Sequence, residues 1–211
     1  MIDIILVGAG GYAREIYELI IKSNNRKTPT YNVLGVLDDN LHALDGKQTD
    51  LKILGTIKDW HVKGDEKYVM AIASPQIKEN VANIMHEKGA EFISLLHFTV
   101  MRCSGVEYGE GFIAYPGAVL GPDDKIGDFV TLLGTGLAHD VQIGDYSTIS
   151  SYCGINGNVR LGKRVFVGGH AVIAPGMKIG DDAFVCTGSV VVTPVRKGMR
   201  VLGNPAHKMD F

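Results

Sequence analysis

From Leu137 onward the hydrophobic positions fall into step. Leu137, Ile143, Ile149, Ile155, Leu161, Val167, Ile173, Ile179, Val185 and Val191 follow one another at intervals of six, and each is aliphatic. The position after each is mostly Gly or another small residue, as in Ala138, Gly144, Ser150, Gly162, Gly168 and Gly180. A period of six is the mark of a hexapeptide-repeat β-helix, in which each short strand points one aliphatic residue inward and the chain turns on a small one. Three hexads close one triangular coil, so residues eighteen apart stack on the same face at about 4.8 Å. Upstream the spacing loosens. Ile113 to Val119 is six, Val119 to Ile126 seven, Ile126 to Leu132 six and Leu132 to Leu137 five. The seven-residue step holds "GPDDK", which reads as a small outward loop, and the five-residue step as a single deletion.

Residues 1–96 follow a different pattern, of alternating strand-like and helix-like segments. "IDIILVG" predicts a buried strand, and "GYAREIYELIIKS" a helix with Ile16, Leu19 and Ile20 on one face. "VLGVLDD" and "YVMAIAS" predict further strands. "PQIKENVANIMHEKG" opens on Pro75 and closes on Gly89, the start and stop signals of a helix. "EFISLLH" predicts one more strand. Strands alternating with helices imply a parallel sheet with helices on its faces. The chain is thus expected to hold two domains: a Rossmann-like α/β domain over residues 1–96 and a left-handed β-helix over 97–211.

Composition narrows the picture by exclusion. The net charge of −2 over 211 residues suggests no nucleic-acid partner. No apolar run reaches membrane-spanning length, and "MIDIILVGAGG" lacks a basic lead and a cleavage site. Cys103, Cys153 and Cys186 are widely spaced and set among apolar neighbours, as reduced thiols of a cytoplasmic protein would be. No CxxC or HxxxH spacing marks a metal site.

One ionisable pair interrupts the repeat, in "LAHDVQIG". His139 lies two residues past the inward Leu137 and so does not point into the core. Eighteen residues on, the same face presents Gly157, whose backbone can be approached closely. This arrangement suits acyl transfer. A histidine can remove the proton from an attacking amine or hydroxyl, and a nearby amide N–H can stabilise the oxyanion. Asp140 can hold the imidazole in one tautomer if the turn brings the carboxylate to the ring.

With these residues the chain resembles the PglD/NeuD-type sugar acyltransferases of the left-handed β-helix superfamily. The similarity runs through "VGAGGYARE", "VLDD", "H-D-x-x-I-G", "NGNVRLGKRVFVGG" and "VLGNPA". It implies a homotrimer that takes acetyl from acetyl-CoA in a cleft between adjacent β-helices and places it on the 4-amino group of a nucleotide-linked sugar. By position it implies that His139 is the general base, that Asp140 increases its basicity and that the Gly157 amide meets the thioester carbonyl. Thr148, Gly169 and Thr187 match CoA-contacting positions, though Thr148 replaces a histidine found in some members. Ser151, Gly169 and Thr187 lie eighteen apart and form a wall expected to face His139 of a neighbouring subunit.

"GAGGYA" fits G-x-G-x-x-A between a strand and a helix, where backbone N–H groups and the helix start make an anion site. NAD binding is disfavoured because the domain is short for a six-stranded sheet. By resemblance Gly10, Gly11 and Tyr12 hold the phosphates of the nucleotide sugar and Asp38 and Asp39 the nucleotide. Ala73 and Ser74 match a further substrate-contacting position. Tyr12 departs from the histidine common there. His170 reads as a surface residue, His97 as a domain-junction contact and Trp60 as packing. Arg196, Lys197 and Arg200 form a basic turn able to attract CoA phosphates.

The expectation is therefore a cytoplasmic acetyl-CoA-dependent sugar N-acetyltransferase acting by direct attack. O-acetylation of sialic acid or a related free sugar is the alternative within enzymes. A non-catalytic β-helix serving assembly or carbohydrate binding is the alternative outside them.

Overall fold

The computed structural model describes residues 1–24 and 31–209. Contacts divide it into two compact units. The first is drawn from residues up to Ala73 and from Ile77–Ile93, the second from Ser74–Gln76 and from Ser94 onward.

The first unit carries β1 (Ile2–Val7), α1 (Gly11–Asn24), β2 (Tyr31–Leu37), β3 (Ile53–Gly55), β4 (Lys67–Met70) and, from Ile77 onward, α2 (Pro75–Glu87). The four strands are parallel in the order β3-β2-β1-β4. Ile4–Val7 of the inner strand β1 are buried as a continuous apolar run, as befits a strand covered on both faces. Ala13, Ile16 and Ile20, spaced three and four apart, are the buried stripe of α1. Pro75 opens α2, where its missing N–H has no intrahelical partner to lose. Gly89 ends it at a φ of 82°, and the Ala90 N–H reaches back to the Met85 carbonyl at 3.0 Å, closing the helix in the manner that a left-handed glycine permits. β3 is the element the hydrophobic pattern does not announce, because three residues are too few to show a period.

The second unit is a parallel β-helix built of two-residue strands. One face runs from Leu95–Leu96 to Arg200–Leu202 and is closed by the antiparallel His207–Lys208. A second runs from Met101–Arg102 to Val190–Val191, and a third from Glu107–Tyr108 to Lys178–Ile179. The aliphatic residue of each hexad from Leu137 to Val191 is buried in one continuous core. Each such side chain contributes roughly 1.5–3 kcal/mol by leaving water. The small inward residue four places later fills the corner, as Val141, Cys153, Val165 and Ala171 do.

Two details differ from the sequence pattern. "EFISLLH" is not a single strand of the α/β half. Phe92 bridges to Tyr68, whereas Leu95–Leu96 pair with Ile113–Ala114 as the first rung of the β-helix. The upstream register is also regular. Ala114 and Leu120, rather than Ile113 and Val119, belong to the core row, so steps of six continue to Leu132. The first apolar member of each pair misleads: Ile113 lies outside the core row and Val119 lines the outer face. "GPDDK" is thus an ordinary corner with Asp124 turned inward, not an outward insertion. The five-residue step before Leu137 is real. Lys125 pairs with Gln142 and Thr131 with Thr148, seventeen apart, before the offset returns to eighteen at Gln142–Arg160.

Candidate active site

His139 and Asp140 occupy the corner between the second and third faces. Corners of this helix use a left-handed residue, and Asp140 (φ 58°), Asn158 (φ 62°) and Gly176 (φ 72°) stack there. Aspartate and asparagine tolerate that conformation better than most side chains. The His139 Nδ1 lies 2.7 Å from Asp140 Oδ2. With the carboxylate accepting from Nδ1–H, the Nε2 lone pair is left available as a base. Both side chains remain open to solvent, at 60% and 54% exposure.

Gly157 lies one coil on, directly under the ring. A Cβ built on it would stand 2.5 Å from Nε2 and 2.7 Å from Cε1 of His139. The Asn158 N–H donates to the His139 carbonyl at 3.0 Å and the Gly176 N–H to the Gly157 carbonyl at 2.9 Å, which locks the two turns in register. Among the described residues no backbone acceptor takes the Gly157 N–H. The corner therefore holds an oriented base beside an unengaged amide donor, the two elements needed to move a proton and to meet a developing oxyanion.

Ser151, Gly169 and Thr187 do stack, at the corner between the first and second faces. The His170 N–H donates to the Ser151 carbonyl at 3.0 Å and the Gly188 N–H to the Gly169 carbonyl at 2.9 Å. Beside them Tyr152, 73% exposed, stacks on His170 with ring centroids 5.2 Å apart. That aromatic pair is visible in the sequence only once the eighteen-residue stacking is applied to tyrosine as well as to histidine. Thr148 differs from expectation. It is 0% exposed in the first face, so its hydroxyl offers no surface to a ligand of this chain. Arg196 and Lys197 are exposed in their turn, and Arg200 lies over the Phe184 ring at 5.3 Å.

In the first unit the glycine-rich loop leaves the carboxyl end of β1. Gly8, with φ 104°, is held so close to Ile72 that a Cβ would come within 2.7 Å of its side chain. It is the glycine that the fold itself requires. By contrast a Cβ on Gly10 would meet nothing within 4 Å, and one on Gly11 only the Arg14 guanidinium at 3.7 Å. Both are exposed at the start of α1, where the first amide groups have no intrahelical acceptor. Tyr12 is half-buried. Asp38 ends β2 and ties two turns together: Oδ2 accepts the Ala9 N–H at 2.7 Å and Oδ1 the Asn40 N–H at 2.8 Å. Asp39 is exposed and accepts the Lys58 N–H at 3.2 Å. Because β1 lies between β2 and β4, the ends bearing Gly10, Asp38 and Ala73 adjoin at the carboxyl edge of the sheet, where open α/β sheets bind ligands. Ser74 follows and is grouped with the second unit.

The remaining candidates are structural. The Trp60 Nε1–H donates to the Tyr68 hydroxyl at 2.9 Å, which donates to Glu66 at 2.7 Å. Burial and the bond to Glu66 push the Tyr68 hydroxyl above its ordinary range. His97 pairs with Thr99 at 2.8 Å.

The fold is thus a small α/β unit followed by a parallel β-helix with an oriented histidine at one corner. Residues 3–85 match the PglD N-terminal domain. The chain is 29% identical to GDP-perosamine N-acetyltransferase of Escherichia coli O157:H7, over 97% of this chain and 95% of that one. Its fold is similar to the acetyltransferase domain of PglB from Neisseria gonorrhoeae FA1090, with a TM-score of 0.87 and 22% identity over 98% of this chain and 99% of that one. That domain has also been solved in complex with acetyl coenzyme A. PerB from Caulobacter crescentus, in complex with CoA and GDP-perosamine, is equally similar, with a TM-score of 0.87 and 23% identity over 99% and 97% of the two chains. Residues 3–85 thus carry a PglD N-terminal domain, and the chain as a whole shares the fold of these β-helix acetyltransferases.

Proposed function

We propose that this protein transfers the acetyl group of acetyl-CoA to the amine of an amino sugar carried on a nucleoside diphosphate. The observation that carries the reading is the His139–Asp140 pair poised over Gly157. His139 Nε2 accepts the proton of the sugar amine as its nitrogen bonds to the thioester carbonyl carbon. The Gly157 N–H donates to the resulting oxyanion, and Asp140 balances the imidazolium charge. When the C–S bond breaks, the imidazolium returns the proton to the CoA sulfur. The row of Ser151, Gly169 and Thr187, half-buried at the first two and exposed at the third, is assigned to CoA. The loop of Gly10, Gly11 and Tyr12, with Asp38, Asp39, Ala73 and Ser74, is assigned to the nucleotide sugar. The two relatives named for GDP-perosamine put a guanosine diphosphate amino sugar first among candidates.

The same reading makes the protein a cytoplasmic homotrimer. In support, the outward ladder of the second face runs Met101, Val119, Gly136, Gly154, Val172 and Val190, with no charged residue and with Met101 61% exposed. An uncharged ladder of this length is what a β-helix buries against a neighbour. Among the described residues no helix is long and apolar enough to cross a membrane.

The test is release of the CoA thiol from acetyl-CoA in the presence of GDP-, UDP- and dTDP-linked 4-amino sugars and of free sialic acid. Thiol release with a nucleotide amino sugar is the expected result. Release with sialic acid alone replaces it with O-acetylation, and none with any acceptor removes the transferase reading.

A further inference from the structure

The small inward residues at the His139 corner run Val106, Asp124, Val141 and Val159 from coil to coil. A carboxylate therefore stands in an apolar row, at 0% exposure, one coil before the catalytic turn. Burial pushes its carboxyl up to about 6. The Asp140 charge acts in the same direction, while its two amide partners and His139 oppose it. A buried ionisable group that costs stability calls for a reason at this corner in particular.

At three other corners of the helix a polar residue in this position links adjacent coils. Ser94 Oγ accepts the Phe112 N–H at 3.0 Å and donates to the Gly109 carbonyl at 3.1 Å. Thr135 Oγ1 accepts the Cys153 N–H at 3.2 Å and donates to the Ser150 carbonyl at 2.6 Å. Ser147 Oγ accepts the Val165 N–H at 3.0 Å and donates to the Gly162 carbonyl at 3.0 Å. Each links one coil to the next through a neutral hydroxyl. Asp124 makes the same forward link, Oδ1 accepting the Val141 N–H at 2.9 Å, and adds a second within its own turn, Oδ2 accepting the Gly121 N–H at 2.7 Å. Bonds to a charged acceptor are roughly twice as strong as neutral ones.

Both links bear on the catalytic turn. Val141 directly follows Asp140, whose own N–H donates to the Pro122 carbonyl at 2.9 Å. Gly121 is pressed against the Ala138 carbonyl so closely that no Cβ could be placed between them. The turn from Gly121 to Asp124 is thus the surface on which Ala138–Val141 rests, and Asp124 holds its two ends. We propose that Asp124 is a positioning residue for acyl transfer: by gripping the Val141 and Gly121 amides together it fixes the His139–Asp140 turn so that the imidazole stays over Gly157. This rests on the transferase reading above.

Two substitutions separate positioning from folding. Asp124→Val completes the apolar row found at Val106, Val141 and Val159. Asp124→Thr supplies the hydroxyl that Thr135 uses for the same link. We expect Asp124→Val to melt no lower than the wild type at pH 7.5. Its kcat should fall by about 10²-fold, the scale for a displaced reacting group, with both KM values within about threefold. Asp124→Thr should recover most of that kcat. Wild-type kcat in Asp124→Val, or no recovery in Asp124→Thr, overturns the proposal. Amide hydrogen exchange at Asp140 and Val141 provides a readout independent of substrate. It should be faster in Asp124→Val and restored in Asp124→Thr, and unchanged exchange in the valine variant also overturns the proposal. If the wild type transfers no acetyl group the functional reading fails by itself, and the exchange measurement still decides whether Asp124 holds the turn.

Discussion

The Nε2 of His139 lies 2.5 Å from the point where a Cβ on Gly157 would stand. Gly157 has no left-handed φ, so the backbone does not require glycine there; the imidazole does. Gly157→Ala should therefore fold. Its methyl group should drive the ring outward and break the 2.7 Å contact of Nδ1 with Asp140. We expect kcat to fall about 10²-fold, as for a misaligned base, with a melting temperature within a few degrees of wild type. An alanine variant of near wild-type rate would show that the ring does not work over Gly157.

His139→Ala removes a side chain that is 60% exposed and outside the core, so the fold should persist while turnover drops by about 10² to 10⁴. Asp140→Asn keeps a residue that tolerates the left-handed corner but loses the charge that balances the imidazolium. It should reduce kcat by less than His139→Ala does. Circular dichroism and steady-state rates on the two variants decide both points, and an Asp140→Asn enzyme as slow as His139→Ala would assign Asp140 a larger role.

These corner residues show why some of the site was legible in the sequence. A strict period converts sequence distance into spatial stacking, so Gly157 could be set beside His139 by counting eighteen, and Gly169 between Ser151 and Thr187 likewise. Counting fails where the register is ambiguous. Ile113–Ala114 and Val119–Leu120 each offer two apolar neighbours, and only the backbone decides which points inward. That one-residue error is what turned Asp124 outward in the sequence reading. Thr148 fails for another reason, since a position defined by its place in the coil carries no information about what covers it. In the α/β unit the loop could be located, but not the division of labour within it. Gly8 serves the fold, Gly10 and Gly11 are free of it, and Asp38 is engaged by two backbone amides. Those roles depend on Ile72 and Asn40, which no local motif includes.

Stability should carry the imprint of Asp124 in its pH dependence. The folded chain holds this proton up to about pH 6, whereas the unfolded chain releases it near the ordinary value of 3.8. Stability from this group is therefore lost as pH rises from about 4 through 6 and is constant above that. Asp124→Val removes the term and leaves every other titrating group in place. The difference in unfolding free energy between the variant and the wild type should grow in the valine variant's favour across that window, by on the order of 1–3 kcal/mol. Urea melts at pH 4 and pH 7.5 measure it. An offset that does not change with pH would mean that the carboxyl titrates alike in the folded and unfolded chain.

The glycine-rich loop allows a test of ligand binding without disturbance of the fold. A side chain at Gly11 would meet only the Arg14 guanidinium, 3.7 Å away, and φ there is not left-handed. Gly11→Val should thus leave α1 and the sheet intact. Its methyl groups would stand beside the first amides of the helix and hold a phosphate away from them. We expect the KM for the nucleotide amino sugar to rise by at least tenfold while that for acetyl-CoA stays within about twofold, as for loss of contacts made equally in ground and transition states. Gly8→Ala is the structural counterpart, since its Cβ collides with Ile72, and it should lower stability and impair both parameters together. Calorimetry with GDP, UDP, dTDP and CoA completes the comparison. A nucleoside diphosphate should bind the wild type and lose affinity in Gly11→Val, with CoA binding alike to both. If CoA binds and no nucleoside diphosphate does, the loop is not a phosphate site and the acceptor is a free sugar.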